Sequence, residues 1–244
     1  KKSYAPEINS VGWFTGGTPS NLTALVEKIN GGPFAGYIAG GLGGVISTYP
    51  DVKKYTDKVF TKQAQKDLDF PKKHCQGDIT SHFHFKNFYD KSFSTVGKRF
   101  LYEPVIQNTL NELTMGVNPE FTPDTPVLMV HGISDEVAPY EAAHTTYKSW
   151  CKNGADVEFV NFANPVSAHG VTTVTSSVPG FLWIRDRLQG KPVQSGCREI
   201  KNYDVGINSH ALGEDFESAL GLLKGLLGDK IGPNDEYLKD ALHK

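Results

Sequence analysis

The sequence predicts an α/β protein built on a parallel sheet, and three observations carry that prediction. Val127-Leu128-Met129-Val130 is an uninterrupted apolar run, the composition of a strand covered on both faces. A helical pattern follows over 139–152, with proline in its first turn, Ala143, Tyr147 and Trp150 on one face, and Gly154 as its stop. Val157 to Phe162 then reads as a second strand, and Val178 to Leu188 begins or continues a helix after it, so strand and helix alternate as they do around a parallel sheet.

The elements before this region are of a different kind. Glu7 to Thr15 places Ile8, Val11, Trp13 and Phe14 as a strand would and breaks at Gly16-Gly17-Thr18-Pro19. Residues 20–29 form a short helix, with Ser20 or Asn21 as N-cap and Leu22, Leu25, Val26 and Ile29 on one face. From Gly31-Gly32-Pro33 onward about ninety residues show helical periodicity and many glycines and lysines, the pattern of an inserted cap. In it, Phe34, Tyr37, Ile38, Leu42, Val45 and Ile46 recur at helical spacing, while Gly36, Gly40, Gly43 and Gly44 loosen the same helix. Asp51 to Leu68 is a second amphipathic segment and Pro104 to Met115 a third, stopped by Gly116; Ile79 to Tyr89 is a strand or an extended loop. The tail from Arg198 onward carries one more amphipathic helix (Phe216, Leu220, Leu223, Leu227) whose polar face is not basic, so it is expected to dock on its own core. The expected organisation is a core segment over 1–30, a helical insertion over 31–120, a core with two functional loops over 121–197, and a helical extension over 198–244.

Composition narrows the partners. The 244 residues, 39% of them hydrophobic, suffice for a real core, and a net charge of -2 provides no field to gather a nucleic acid. No stretch reaches the roughly 18 residues of apolar chain that a membrane span needs. Three cysteines, Cys75, Cys151 and Cys197, lie too far apart for a CxxC metal or redox motif; one disulfide and one remaining thiol is the natural count. Together with the sequon Asn21-Leu22-Thr23, a glycosylation signal, they point to secretion, with any leader peptide outside these residues.

Chemistry is expected in the loops after the carboxyl ends of the strands, where the crevice of an open parallel sheet lies. One loop reads His131-Gly132-Ile133-Ser134-Asp135-Glu136-Val137-Ala138-Pro139 and the next Asn164-Pro165-Val166-Ser167-Ala168-His169-Gly170. Asp135 and His169 stand 34 residues apart, the length of one helix and one strand with their turns, which returns the chain beside its starting loop. Such a carboxylate can fix the imidazole tautomer so that its other nitrogen takes a proton from a serine. Glu136 is an alternative acid, and His131 is read as structural. In α/β-hydrolases the order is serine, acid, histidine, yet these residues contain no Gly-x-Ser-x-Gly elbow, so the nucleophile is expected upstream of Lys1.

Several stretches give this arrangement a family likeness. Ser3-Tyr4-Ala5-Pro6-Glu7-Ile8, Gly16-Gly17-Thr18-Pro19, Asn30-Gly31-Gly32-Pro33-Phe34-Ala35-Gly36, Asp135-Glu136-Val137-Ala138-Pro139-Tyr140 and Ala168-His169, in that order and over about residues 3–197, resemble the fungal secretory lipases, the group of Candida antarctica lipase A and the secreted Candida lipases. The resemblance implies an α/β-hydrolase fold, incomplete here, with the C-terminal half of the parallel sheet and an inserted helical lid. It also implies Asp135 and His169 as catalytic acid and base, and a lid over about 30–120 in which Phe34, Tyr37, Ile38 and Leu42 meet lipid. It implies a Cys151–Cys197 disulfide, with Cys75 left for a cysteine in the missing N-terminal half. The function so implied is hydrolysis of lipid esters at an oil-water interface, without a cofactor, in partnership with that N-terminal half. The alternatives are an esterase or acyltransferase without interfacial activation, and a non-catalytic binding module on the same scaffold.

No metal is expected: His82 and His84 could share one face of a strand, but no third ligand completes a zinc set. The glycines at 40, 41, 43 and 44 match neither GxGxxG nor a P-loop, so nucleotide binding has no support.

Overall fold

The computed structural model describes residues 5–163 and 167–203. The tail helix expected around Phe216 to Leu227, and most of the extension expected over 198–244, lie outside the described residues. By contacts the chain divides into a sheet unit (described residues 5–16, 125–134, 156–163 and 167–203) and a helical unit (17–124 and 135–155).

The sheet unit holds four parallel strands in the order β1 (Trp13–Gly16), β2 (Val127–Gly132), β3 (Val157–Phe162) and β4 (Cys197–Tyr203). Every residue of β2 is buried, which is why its sequence is continuously apolar instead of alternating. Leu128, Val130, Val160 and Phe162 form a core with Phe14, Ile200 and Trp183. Trp183 comes from α8 (His169–Leu188), which packs on β1 and β2. This contact is close: a Cβ at Gly180 would lie 2.6 Å from the Phe14 ring, and one at Gly16 would lie 3.2 Å from Ser176 Oγ.

Three expectations are corrected in this unit. The first strand is shorter than Glu7 to Thr15: its partner β2 begins after Pro126, which has no N–H to extend the ladder, and Ile8 and Val11 are exposed. His169 and Gly170, expected in the loop after β3, instead open the helix that continues through Val178 to Leu188. Its threonine- and serine-rich start satisfies its hydroxyls within the helix, Thr173 Oγ1 donating to His169 O at 2.8 Å and Ser177 Oγ to Val174 O at 2.7 Å. Finally, Cys197 to Tyr203 is a strand, not the start of a helical extension. It pairs along β3, and the Arg198 guanidinium meets the Glu158 carboxylate at 2.6 Å. Mostly polar, with Cys197, Arg198 and Lys201 exposed, β4 lacks the apolar run that marks β2.

The helical unit contains α1 (Leu22–Ile29), α2 (Gly36–Thr48), α3 (Pro50–Val59), α4 (Lys62–Asp67), α5 (Gln76–His82), α6 (Pro104–Glu112) and α7 (Tyr140–Lys152). Asn21 caps α1, its side chain accepting from Ala24 N at 3.0 Å. The core gathers Ile29, Ile38, Val52, Leu101 and Ile106 around a phenylalanine cluster in which Phe60 packs on Phe93 and Phe100 at 4.8 and 5.1 Å between ring centroids. α7 joins this unit through Thr146 Oγ1, which donates to Met115 O at 3.1 Å, and Ser149 Oγ, which donates to Gly116 O at 2.5 Å.

Three further expectations change here. Asp51 to Leu68 is two helices, because Phe60 turns into the aromatic core and Thr61 starts α4 as a new N-cap, accepting from Ala64 N at 3.2 Å. Ile79 to Tyr89 is the end of α5 followed by turns, with Phe85 at φ 58, instead of a strand or extended loop. α6 ends at Glu112, before the expected Met115. Among the described residues no helix is long and apolar enough to cross a membrane.

Candidate active site

The register of the sheet pairs Gly132, the last residue of β2, with Phe162, the last residue of β3. The chain therefore leaves two neighbouring strands at the same carboxyl edge, once toward Asp135 and once toward His169.

Asp135 lies three residues beyond β2 and is 1% exposed. Its Oδ1 accepts from the backbone N–H groups of Val137 at 2.9 Å and Ala138 at 2.7 Å. The carboxylate is thus held by its own loop, which Pro139 then turns into α7. Glu136, the alternative acid, is exposed. His131 is fully buried within β2, at the register position opposite Asn161.

His169 is the first residue of α8 and is half-buried. Of the loop before it, Asn164, Pro165 and Val166 lie outside the described residues. Ser167 is 2% exposed, and its Oγ accepts from Ser134 N at 3.4 Å. Ala168 is the N-cap, its carbonyl accepting from Thr172 N at 2.8 Å. Ile133 N donates to Phe162 O at 3.0 Å, extending the β2–β3 ladder past the strand. Gly132, Ser167 and Thr172, which sequence reasoning passed over, carry no motif; only the folded backbone brings them into contact.

The four residues assigned to a lipid-facing lid pack on the helical unit's own core. Ile38 belongs to that core, and Phe34, Tyr37 and Leu42 lie against it half-buried. Phe34 precedes α2 instead of opening it. Tyr37 also lines a groove of about 320 Å³ with Gly36, Gly40, Gly41, Gln76, Ile79 and Thr80. Its hydroxyl accepts from Gln76 Nε2, and burial pushes the phenol pKa up, an effect the Gln76 bond partly offsets.

Cys151 and Cys197 are disulfide-bonded, whereas Cys75 is free and exposed. Among the described residues no group of three or more His, Cys, Asp or Glu side chains could hold a metal ion. His82 sits at the end of α5, stacked on Phe70 with 4.0 Å between ring centroids, and not on a strand face beside His84.

Comparison with known proteins adds a family. A family model described as "Secretory lipase" matches residues 1–196. The chain is 91% identical over its full length to the secreted triacylglycerol lipase LIP3 of Malassezia globosa, of which it covers 54%, and 39% identical over 98% of its length to the secreted triacylglycerol lipase LIP1 of Malassezia furfur, of which it covers 49%. It thus spans about half the length of the curated relatives it matches. In solved structures it resembles Candida antarctica lipase A in its closed state, with a TM-score of 0.75 and 28% identity over 90% of this chain and 52% of that one. That likeness and the parallel sheet agree on a partial α/β-hydrolase fold.

Proposed function

The chain belongs to the secretory lipase family, and from that premise we propose that it supplies Asp135 and His169 as acid and base of a Ser-Asp-His triad in a secreted fungal triacylglycerol lipase. The nucleophilic serine comes from outside these residues, in the other half of the same lipase. The observation that carries this reading is a buried carboxylate fixed by two backbone N–H groups after β2, with a histidine heading the helix after the adjacent parallel strand β3. The order acid then base is that of α/β-hydrolases.

In this mechanism Asp135 accepts a hydrogen bond from one ring nitrogen of His169 and so sets its tautomer. The other ring nitrogen takes the serine proton as the serine oxygen attacks the ester carbonyl. The resulting imidazolium is stabilised by the carboxylate and donates its proton to the departing glycerol oxygen, leaving an acyl-enzyme. Water, deprotonated by the same imidazole, then releases the fatty acid and restores the serine.

Residues 31–120 are proposed as a lid that shields the acyl site from water, with the exposed glycine face of α2 as its pliant part. Secretion agrees with the disulfide-bonded cysteines and with the sequon at Asn21, proposed as a glycosylation site. Cys75 is proposed to pair with a cysteine of the other half.

The test uses the full-length protein. Replacing Asp135 by Asn keeps an oxygen for the Val137 and Ala138 N–H groups but removes the charge, so the loop should stay folded while kcat falls on the order of 10⁴-fold. Wild-type turnover by Asp135→Asn or by His169→Ala would refute the triad assignment. Labelling of the isolated chain by a serine-directed phosphonate would contradict a nucleophile outside these residues, and failure to label the full-length protein as well would favour the binding module. Equal rates on long-chain triglyceride emulsion and on soluble short esters would favour an esterase without interfacial activation.

A further inference from the structure

We propose that Gly132 is a positioning residue for His169, acting by letting the backbone before α8 press directly onto the end of β2. The inference rests on reading His169 as the base. A Cβ placed on Gly132 would lie 2.1 Å from the Ser167 carbonyl oxygen, 3.1 Å from the Ser167 carbonyl carbon and 2.5 Å from Thr172 Oγ1. No side chain fits there, and two of the three atoms are main chain that cannot swing aside.

The requirement is one of space alone, because Gly132 is not among the glycines with positive φ. The contact also has a direction. Ser167 lies two residues before His169, and Thr172 lies three residues after it on the first turn of α8. The two flank the histidine along the chain, and both touch the space above Gly132. Both are buried, at 2% and 1% exposure. Ser134 N–H donating to Ser167 Oγ at 3.4 Å and Thr172 N–H donating to Ala168 O at 2.8 Å tie the same stretch to the end of β2 and to its own cap.

The backbone just before α8 and the Thr172 hydroxyl of its first turn are therefore both seated on Gly132 at the end of β2, and the imidazole between them inherits that placement. Gly132→Ala has to push the Ser167 carbonyl outward by more than about 1 Å to reach an ordinary contact. A displacement of that size at a general base is enough to cost about 100-fold in rate.

The experiment compares wild-type, Gly132→Ala, Ser167→Ala and His169→Ala forms of the full-length protein. It measures turnover of a soluble p-nitrophenyl ester, and both the rate and the final extent of labelling by a p-nitrophenyl phosphonate. For Gly132→Ala the final labelled fraction should match wild type, while kcat and the labelling rate fall about 100-fold and KM stays within about twofold. A lower labelled fraction with wild-type turnover per labelled site means a purely structural glycine and overturns the proposal. So does full labelling at the wild-type rate.

Should Gly132→Ala not accumulate, Ser167→Ala adds no atom and removes only the acceptor for Ser134 N–H. It should slow turnover in the same direction by about threefold, and unchanged turnover would overturn the proposal. Loss of turnover in His169→Ala separates this question from the triad itself: if that variant keeps wild-type kcat, the base assignment has failed whatever Gly132 does.

Discussion

An alanine Cβ at Gly180 of the sheet unit would lie 2.6 Å from the Phe14 ring, whereas one at Gly40, Gly41 or Gly44 of the helical unit would meet nothing within 4 Å. The same residue type therefore marks contact in one region and open surface in the other. In the sheet unit, Gly16, Gly132 and Gly180 stand where α8 and the loop before His169 come down on β1 and β2. Along most of α2 it stands on a face with no neighbour and leaves the helix weaker than alanine would. The exceptions are the buried Gly43, where a Cβ would lie 3.8 Å from Leu68 O, and Gly36, where one would lie 2.6 Å from Thr80 Cα and 2.7 Å from Ile79 O of α5. Close approach, not membership of a unit, decides what a glycine does.

Glycine-to-alanine substitutions test that distinction, since the added methyl is the same everywhere and only its surroundings change. Gly36→Ala should have the largest effect, a destabilisation near the upper end of about 1–3 kcal/mol in urea denaturation, because the obstructing atoms are backbone. A neutral result would mean that α2 and α5 slide apart at no cost, and the contact criterion would fail. Gly180→Ala should cost less, about 1–2 kcal/mol, since the Phe14 ring can tilt away from α8. If it exceeded Gly36→Ala, side chains in the sheet unit would be as unyielding as main chain. The smallest change, of opposite sign, belongs to Gly41→Ala and Gly44→Ala, each expected to stabilise by up to about 1 kcal/mol, read as a rise in Tm. In the full-length lipase the pair also sharpens the lid proposal: hydrolysis of emulsified triglyceride should fall relative to that of a soluble ester, and an unchanged ratio would leave α2 as packing alone.

Much of the site was legible because its signals are short-range. Asp135-Glu136-Val137-Ala138-Pro139 reads as an acid followed by its own turn, and the structure holds Asp135 with the N–H groups of Val137 and Ala138. Choosing Asp135 over Glu136 leaned on a family likeness, and burial now separates them, since only Asp135 is enclosed. The histidine side was less legible. A run of threonine and serine hides a helix start, and α8 forms there because those hydroxyls bond back to the preceding turn and because β1 and β2 supply a surface to pack on. β4 was missed for a related reason: a strand with Arg198, Glu199 and Lys201 around Ile200 has no apolar run to display, and its strand character comes from pairing with β3.

The sequence by itself determined the order along the chain, Asp135 before His169 with a helix and a strand between them. It also determined the buried strands β2 and β3 and the apolar faces of α1 and α7, because periodicity and turn chemistry act between residues a few positions apart. Only the tertiary structure decided that Phe60 splits one amphipathic stretch into α3 and α4, that α8 starts at His169, and that Gly132 must lack a side chain. Those outcomes depend on atoms brought together from distant parts of the chain, whose distances no local pattern encodes.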